Sequence, residues 1–238
     1  MKTTNVIFRQ LFDAPSSTYS YLIADPVTRK AALIDPVLEQ VDRDLQLIGE
    51  LDLTLTHVLD THVHADHITA SGILRERTGC TVAGSDRGAT CVDVRVFHGD
   101  VVKVGELEVQ VLGTPGHTDD GLSYRLGDRV FTGDALLIRG TGRTDFQNGS
   151  AGQLYDSITQ VLFALPDDTH VYPGHDYKGR TSSTIAEERR FNPRVAGRSR
   201  EDFIVLMDSL GLPPPKLLEV AVPANRSCGK AATAEKGA

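Results

Sequence analysis

Apolar positions in this chain come first as short alternating runs and later as helical stripes. Residues 6–11, 19–24 and 31–34 are apolar or alternating, and Asp-, Pro- and Ser-rich turns separate them, so they predict three strands. Val41, Leu45, Ile48 and Leu51 then recur at i, i+4, i+7 and i+10, which lines one face of a helix. Residues 55–59 predict a fourth strand, and a short helix is expected over 69–76, closed by Gly79. Strands return at 101–104, 107–112, 122–126 and 130–132, with turns at Gly105-Glu106 and Gly127-Asp128 that pair them antiparallel. Leu154, Ile158, Val161, Leu162 and Leu165 form the next helical stripe.

After Val171-Tyr172 the pattern is helical. Thr184 with Glu187, and Ser199 with Asp202, read as capping boxes, in which a hydroxyl at the helix start meets the backbone three residues on. Phe203, Leu206, Met207 and Leu210 give the last predicted helix its buried face, and Pro213-Pro214-Pro215 ends it. This order of strands and helices predicts an α+β sandwich with a helical C-terminal addition. Residues 1–228 are expected to form one catalytic domain and 229–238 a disordered tail.

Composition narrows the function classes. The formal net charge of −7 and a pI near 5.6 give no electrostatic footprint for nucleic acid. No run of about 18 apolar residues occurs, so no membrane span is expected. The first residues show no apolar export segment and no Arg-rich transit pattern, which makes the cytoplasm the expected location. Cys80, Cys91 and Cys228 are too few and too scattered to read as a disulfide framework, and they fit a reducing compartment. A homodimer is compatible with the chain, but no residue marks an interface.

The candidate chemistry sits where strands end. Asp60-Thr61-His62-Val63-His64-Ala65-Asp66-His67 follows the strand at 55–59. A continuing strand would scatter these side chains to alternate faces, whereas a turn can aim several at one point. Four such groups in one turn are costly together without a cation, and imidazole and carboxylate suit zinc, iron or manganese. Thr114-Pro115-Gly116-His117-Thr118, Thr132-Gly133-Asp134 and Pro173-Gly174-His175-Asp176 place three more ligand types after three more strands. Singly, each is more often a surface turn; four strand-end loops together make a coherent site.

These motifs, in this order over nearly the whole chain, resemble the metallo-β-lactamase superfamily. The resemblance implies a four-layer αββα sandwich with the metal site at one edge of its two sheets. Two kinds of site in that superfamily bear on this chain. A dinuclear glutathione thioester hydrolase of the glyoxalase II type would use His62, His64 and His117 for one metal and Asp66, His67 and His175 for the other, with Asp134 bridging. All seven ligand types are present, so the inventory alone does not exclude that reading.

Longer matches are similar to the persulfide dioxygenase (sulfur dioxygenase) branch, the ethylmalonic encephalopathy protein family. They are Asp134-Ala135-Leu136-Leu137-Ile138-Arg139-Gly140 running on to Gly142-Arg143-Thr144-Asp145-Phe146-Gln147, then Tyr172-Pro173-Gly174-His175-Asp176-Tyr177, then Val222-Pro223-Ala224-Asn225 with Cys228-Gly229. This resemblance implies one Fe(II) per chain on His62, His117 and Asp134, with His64, Asp66, His67 and His175 orienting the ligands from behind. It implies a place in sulfur metabolism, with glutathione persulfide, O2 and water giving sulfite and glutathione. Spacing alone does not decide between His62 and His64.

Glutathione carries two carboxylates, so cations near the iron are expected. Arg143 is one candidate, weighed equally against a structural arginine fixing its loop through Asp145, and Arg139 is a weaker one. Tyr177 matches the position of a glutathione-contacting tyrosine in glyoxalase II, against the alternative of a buried structural tyrosine. Cys228 is read as a small buried apolar residue and stays outside the catalytic set. Asp119-Asp120 departs from the small residues usual in the superfamily, and its two charges beside the site bear on substrate preference.

Overall fold

Strand β2 (Thr18–Ala24) is buried at every position, and that explains the architecture. Tyr19, Tyr21 and Ile23 point into one apolar cluster, while Leu22 and Ala24 point into another. A strand with both faces apolar lies between two covering layers. The structure, a computed structural model, describes residues 5–215 and 217–230.

Two six-stranded sheets stack face to face. The first joins β1 (Ile7–Asp13), β2, β3 (Lys30–Ile34), β4 (Thr54–Leu59), β5 (Thr81–Ser85) and β6 (Val94–Val96) in sequence order. Its β1-β2-β3 meander is antiparallel, and β3 to β6 run parallel. The second sheet has the order β12 (Ser183–Thr184), β11 (His170–Pro173), β10 (Arg129–Gly133), β9 (Leu122–Leu126), β8 (Leu107–Gly113) and β7 (Val101–Val104). There β7 to β10 pair antiparallel, with tight turns joining β7 to β8 and β9 to β10, as the Gly105 and Gly127 signals require.

Between the sheets lie Tyr21, Ile23, Ile34 and Leu59 from the first and Val109, Val111, Tyr124 and Phe131 from the second. Helices α1 (Val41–Glu50) and α2 (Ser71–Thr78) cover the outer face of the first sheet through Val41, Ile48 and Leu74. Gly79 closes α2 in the left-handed conformation, as its place in the sequence predicts. Helix α3 (Ala151–Asp156), continued by a wider turn over Ser157–Leu162, covers the second sheet with α5 (Arg200–Asp208), through Leu154, Ile158 and Phe203. Both N-caps form, without the return bond of a full capping box: the Thr184 hydroxyl accepts from Glu187 N at the start of α4 (Ile185–Phe191), and the Ser199 hydroxyl accepts from Asp202 N. The acidic side chains turn elsewhere, Glu187 to Arg139 and Asp202 to the Ser199 hydroxyl. The layers are the expected αββα sandwich, and no helix among the described residues is long and apolar enough to cross a membrane.

The structure corrects one expectation and adds elements. Cys91 and Cys228 form a disulfide across 137 residues, and Cys80 alone stays free and buried. Scattered spacing in sequence said nothing about closeness in space. Strands β5 and β6 and helix α6 (Leu218–Asn225) were not predicted. The expected tail at 229–238 falls mostly at 231–238, outside the described residues; Gly229 and Lys230 remain tied, by Gly229 N to Ala224 O and by a Lys230–Glu76 ion pair.

Candidate metal centre

Four strands deliver their ends to one edge of the sandwich. The loop after β4 carries His62, His64, Asp66 and His67, the turn after β8 carries His117, Asp134 follows β10, and His175 follows β11. His62, His117 and Asp134 each present a ligand atom within 4.8 Å of the others. His117 Nε2 lies 3.6 Å from Asp134 Oδ2, and the His62 and His117 rings meet edge-on at 5.0 Å.

Hydrogen bonds behind these side chains fix which nitrogen faces inward. The Thr61 hydroxyl donates to Asp35 Oδ2 at 2.8 Å, so it accepts from His62 Nδ1–H at 2.9 Å and leaves Nε2 as the free lone pair. His117 Nδ1–H donates to Arg143 O at 2.7 Å, again freeing Nε2. Outer partners of this kind hold tautomer and ring orientation for a metal. Burial, with His64 and His117 alongside, holds His62 well below the usual histidine range, and burial with His67 pushes His64 down to about 3. Both rings are therefore neutral, the form that binds a cation. Burial opposes charge on Asp134, but His175, His117 and His62 outweigh it and keep the carboxyl below its ordinary range.

The remaining four residues close the site from the other side. His67 Nδ1 and Asp66 Oδ2 lie 2.9 Å apart, and the Thr18 hydroxyl also donates to Asp66 Oδ2 at 3.2 Å. His175 donates from Nδ1 to Ser17 O and turns Nε2 to Asp66 at 3.5 Å and Asp134 at 3.7 Å. Burial disfavours its charged form, yet those two carboxylates raise it to about 10. His64 gives Nε2–H to Asp35 Oδ1 at 3.1 Å. Among the described residues, His64 Nδ1, His67 Nε2 and Asp134 Oδ1 are buried without a hydrogen-bond partner. Unpartnered buried ligand atoms are what a metal would satisfy. Asp134 belongs to the His62–His117 group, while His64 and His67 form a second group with Asp66 whose ligand atoms also lie within 4.8 Å of one another. The residues present thus fit a metal.

Two glycines make the approach possible. Gly133 turns with φ +47°, and a Cβ there would sit 2.5 Å from the Thr61 hydroxyl. A Cβ on Gly142 would sit 2.8 Å from His117 Cγ and against Asp134 O. Gly142→Ala is therefore expected to displace two ligands at once and to weaken metal retention by about 10- to 100-fold, the range for changes behind a ligand. Metal content after dialysis against a chelator checks this; wild-type retention would show that the wall yields.

Beside the centre opens a cavity of about 710 Å³ whose walls include His117, Asp134, His175, Tyr177, Arg143 and Pro213. Arg139 and Arg143 both line it, but their donors are committed within the chain. Arg143 holds Asp145 at 2.6 and 2.7 Å and the carbonyls of Pro213 and Leu212 at 2.6 and 3.0 Å. Arg139, itself at φ +60°, pairs with Glu187 at 2.8 Å and with buried Glu188. Tyr177 is 73% exposed and stacks on His175 at 6.0 Å, which leaves its phenol at the mouth and removes the buried-tyrosine alternative. Lys178 and Arg180 stand on the same rim.

Sequence reasoning missed Asp35 and Thr61 as parts of the site, and it put Asp120 beside the site as a charge bearing on substrate preference rather than as a brace. Asp35 follows β3 and precedes Pro36, the same strand-end signal as Asp134, and it accepts from both Thr61 N and the Thr61 hydroxyl. Asp120 does not face the cavity; its carboxylate accepts from Val63 N at 2.9 Å, while Asp119 meets Asn148 at 3.1 Å. The two added charges thus brace the His62–His64 loop and a neighbouring turn.

The metallo-β-lactamase superfamily model matches residues 13–90 and 92–175. The chain is 48% identical to the persulfide dioxygenase ETHE1 of Mus musculus over 227 residues, 94% of this chain and 89% of that one. The crystal structure of ETHE1 from Myxococcus xanthus superposes with a TM-score of 0.93 at 74% identity, covering 94% of this chain and 99% of that one. A hydroxyacylglutathione hydrolase of a Bradyrhizobium species matches over 174 residues at 44% identity, 71% of this chain and 66% of that one. Four strand-end loops converging on one centre, and an identity that runs the length of the chain, place it together with the dioxygenases: the chain belongs to the persulfide dioxygenase family of the metallo-β-lactamase superfamily.

Proposed function

We propose that this enzyme oxidises glutathione persulfide with O2 and water to sulfite and glutathione, using one ferrous iron held by His62, His117 and Asp134. The observation that carries the reading is the convergence of two imidazoles and one carboxylate within 4.8 Å of one another, beside an open cavity. That donor set leaves coordination positions for both substrates, and ferrous iron supplies the electrons for O2 activation that zinc lacks. The reaction balances as one persulfide, one O2 and one water giving one thiol, one sulfite and two protons. The persulfide's outer sulfur is oxidised and dioxygen is reduced.

The chain's own residues bring the sulfur to the centre and shield it. Asp35 and Thr61 hold His62 in the tautomer that faces inward, and the Arg143 carbonyl does the same for His117. The Arg143 side chain fixes the Leu212–Pro213 wall, and Arg139 ties its loop to α4. Glutathione's carboxylates are left to Lys178 and Arg180 on the rim, and its peptide groups to the exposed Tyr177 phenol.

Oxygen uptake by the iron-loaded enzyme with freshly made glutathione persulfide tests the proposal, with the zinc-loaded form as control. One O2 consumed per sulfite formed, by the iron form alone, is expected. Hydrolysis of a glutathione thioester with no uptake would instead place the chain with the dinuclear hydrolases.

A further inference from the structure

The C-terminal turn takes no part in the chemistry above, yet it is fastened across the loop that carries the ligands. Asn225, at the end of α6, is 3% exposed. Its Nδ2 donates to His64 O at 2.9 Å and to His67 O at 2.8 Å, and its Oδ1 accepts from Thr69 N at 2.9 Å. One carboxamide thus spends both N–H donors and its oxygen on the backbone of a single irregular loop. Backbone groups buried outside helix and sheet need such partners, and only an amide side chain offers two donors and an acceptor at this spacing.

Asn225 is itself held from both sides. Cys228 O accepts from Gly72 N at 2.9 Å, and a Cβ on Gly72 would lie 2.5 Å from that oxygen. Arg226 O accepts from Thr90 N at 3.0 Å. The Cys91–Cys228 disulfide then ties the same turn to the segment between β5 and β6. Three independent attachments converge within three residues of one side chain.

We infer that Asn225 is a positioning residue of the metal centre, which sets the loop so that His62 meets His117 and Asp134, and that the Cys91–Cys228 bond keeps this clamp in register. The inference rests on His62, His117 and Asp134 being the metal ligands. It predicts that loosening the clamp releases metal, beyond any effect on global stability.

The test uses the full chain loaded anaerobically with ferrous iron, then followed as iron passes to a chromogenic chelator. Asn225→Ala is compared with Ile48→Ala, a truncation on α1 that lowers global stability and removes no hydrogen bond to the ligand loop. Iron should leave Asn225→Ala about 10- to 100-fold faster than wild type, and leave Ile48→Ala at the wild-type rate. The visible spectrum of the cobalt(II)-loaded chain should shift in Asn225→Ala alone. Equal release from Asn225→Ala and Ile48→Ala would overturn the inference. Should Asn225→Ala not fold, Cys91→Ser decides: several-fold faster release supports the clamp, and wild-type release overturns it. A wild-type chain that holds no metal would overturn the metal-centre reading and this inference together. Iron held normally without oxygen uptake would count only against the proposed reaction.

Discussion

Asp134→Ala is expected to leave a folded chain that neither holds iron nor consumes oxygen. Asp134 is the only carboxylate in the three-ligand group, and His175 turns toward it from the opposite side at 3.7 Å. Removing it leaves two imidazoles, His62 and His117, without the anion that balances a divalent cation. Substitutions behind a ligand already cost about 10- to 100-fold, so loss of the ligand itself should exceed 100-fold in metal affinity and turnover. The fold should survive, because Asp134 packs at the rim of the cavity and its Oδ1 makes no hydrogen bond to the chain. A nearby Cβ would reach 2.7 Å from that oxygen at Gly174, so larger replacements would confuse ligand loss with crowding, and Asn is the second variant to use. Iron content by plasma emission, oxygen uptake and a thermal melt read the three consequences separately. An Asp134→Ala chain that kept iron and turnover would sink the ligand assignment.

What the sequence made legible follows the physics of each signal. Strands with a period of two or with both faces apolar were readable, and β2 and the β7–β8 pair appear where their patterns put them. The caps at Thr184 and Ser199 are local chemistry and their hydroxyl bonds form, though the return bonds of a full capping box do not. Strand β5, Thr-Val-Ala-Gly-Ser, was silent because Val82 is its one large apolar residue and small residues carry no period. Helix α6 was hidden by Pro223 within it and the proline run before it, both of which read as helix stops. The candidate ligands were visible because each follows a strand. Asn225 was not visible as part of the site, since it stands more than 150 residues from the loop it holds. The Cys91–Cys228 pair was invisible for the same reason: contact across the fold leaves no spacing in the sequence.

Spacing does not choose between His62 and His64, and each stands in a candidate metal group. His62 groups with His117 and Asp134, and His64 with Asp66 and His67, so metal counting on variants is the test. His62 has its outer nitrogen occupied by Thr61 and its inner one aimed at His117 and Asp134, whereas His64 shares a proton with Asp35 and leaves Nδ1 beside His67. His62→Ala should therefore lose its iron as completely as Asp134→Ala. His64→Ala and His175→Ala should each keep about one iron per chain, with turnover lowered by about 10- to 100-fold as their partners shift. A dinuclear site gives the opposite pattern, because His175 would then be a ligand to the second metal and His175→Ala would fall from about two metals to about one. Metal counting on wild type and these three variants distinguishes the arrangements without any substrate. If His64→Ala empties the centre while His62→Ala retains it, the ligand assignment moves by two residues and the Asp35–Thr61–His62 chain loses its role as the device that orients a ligand.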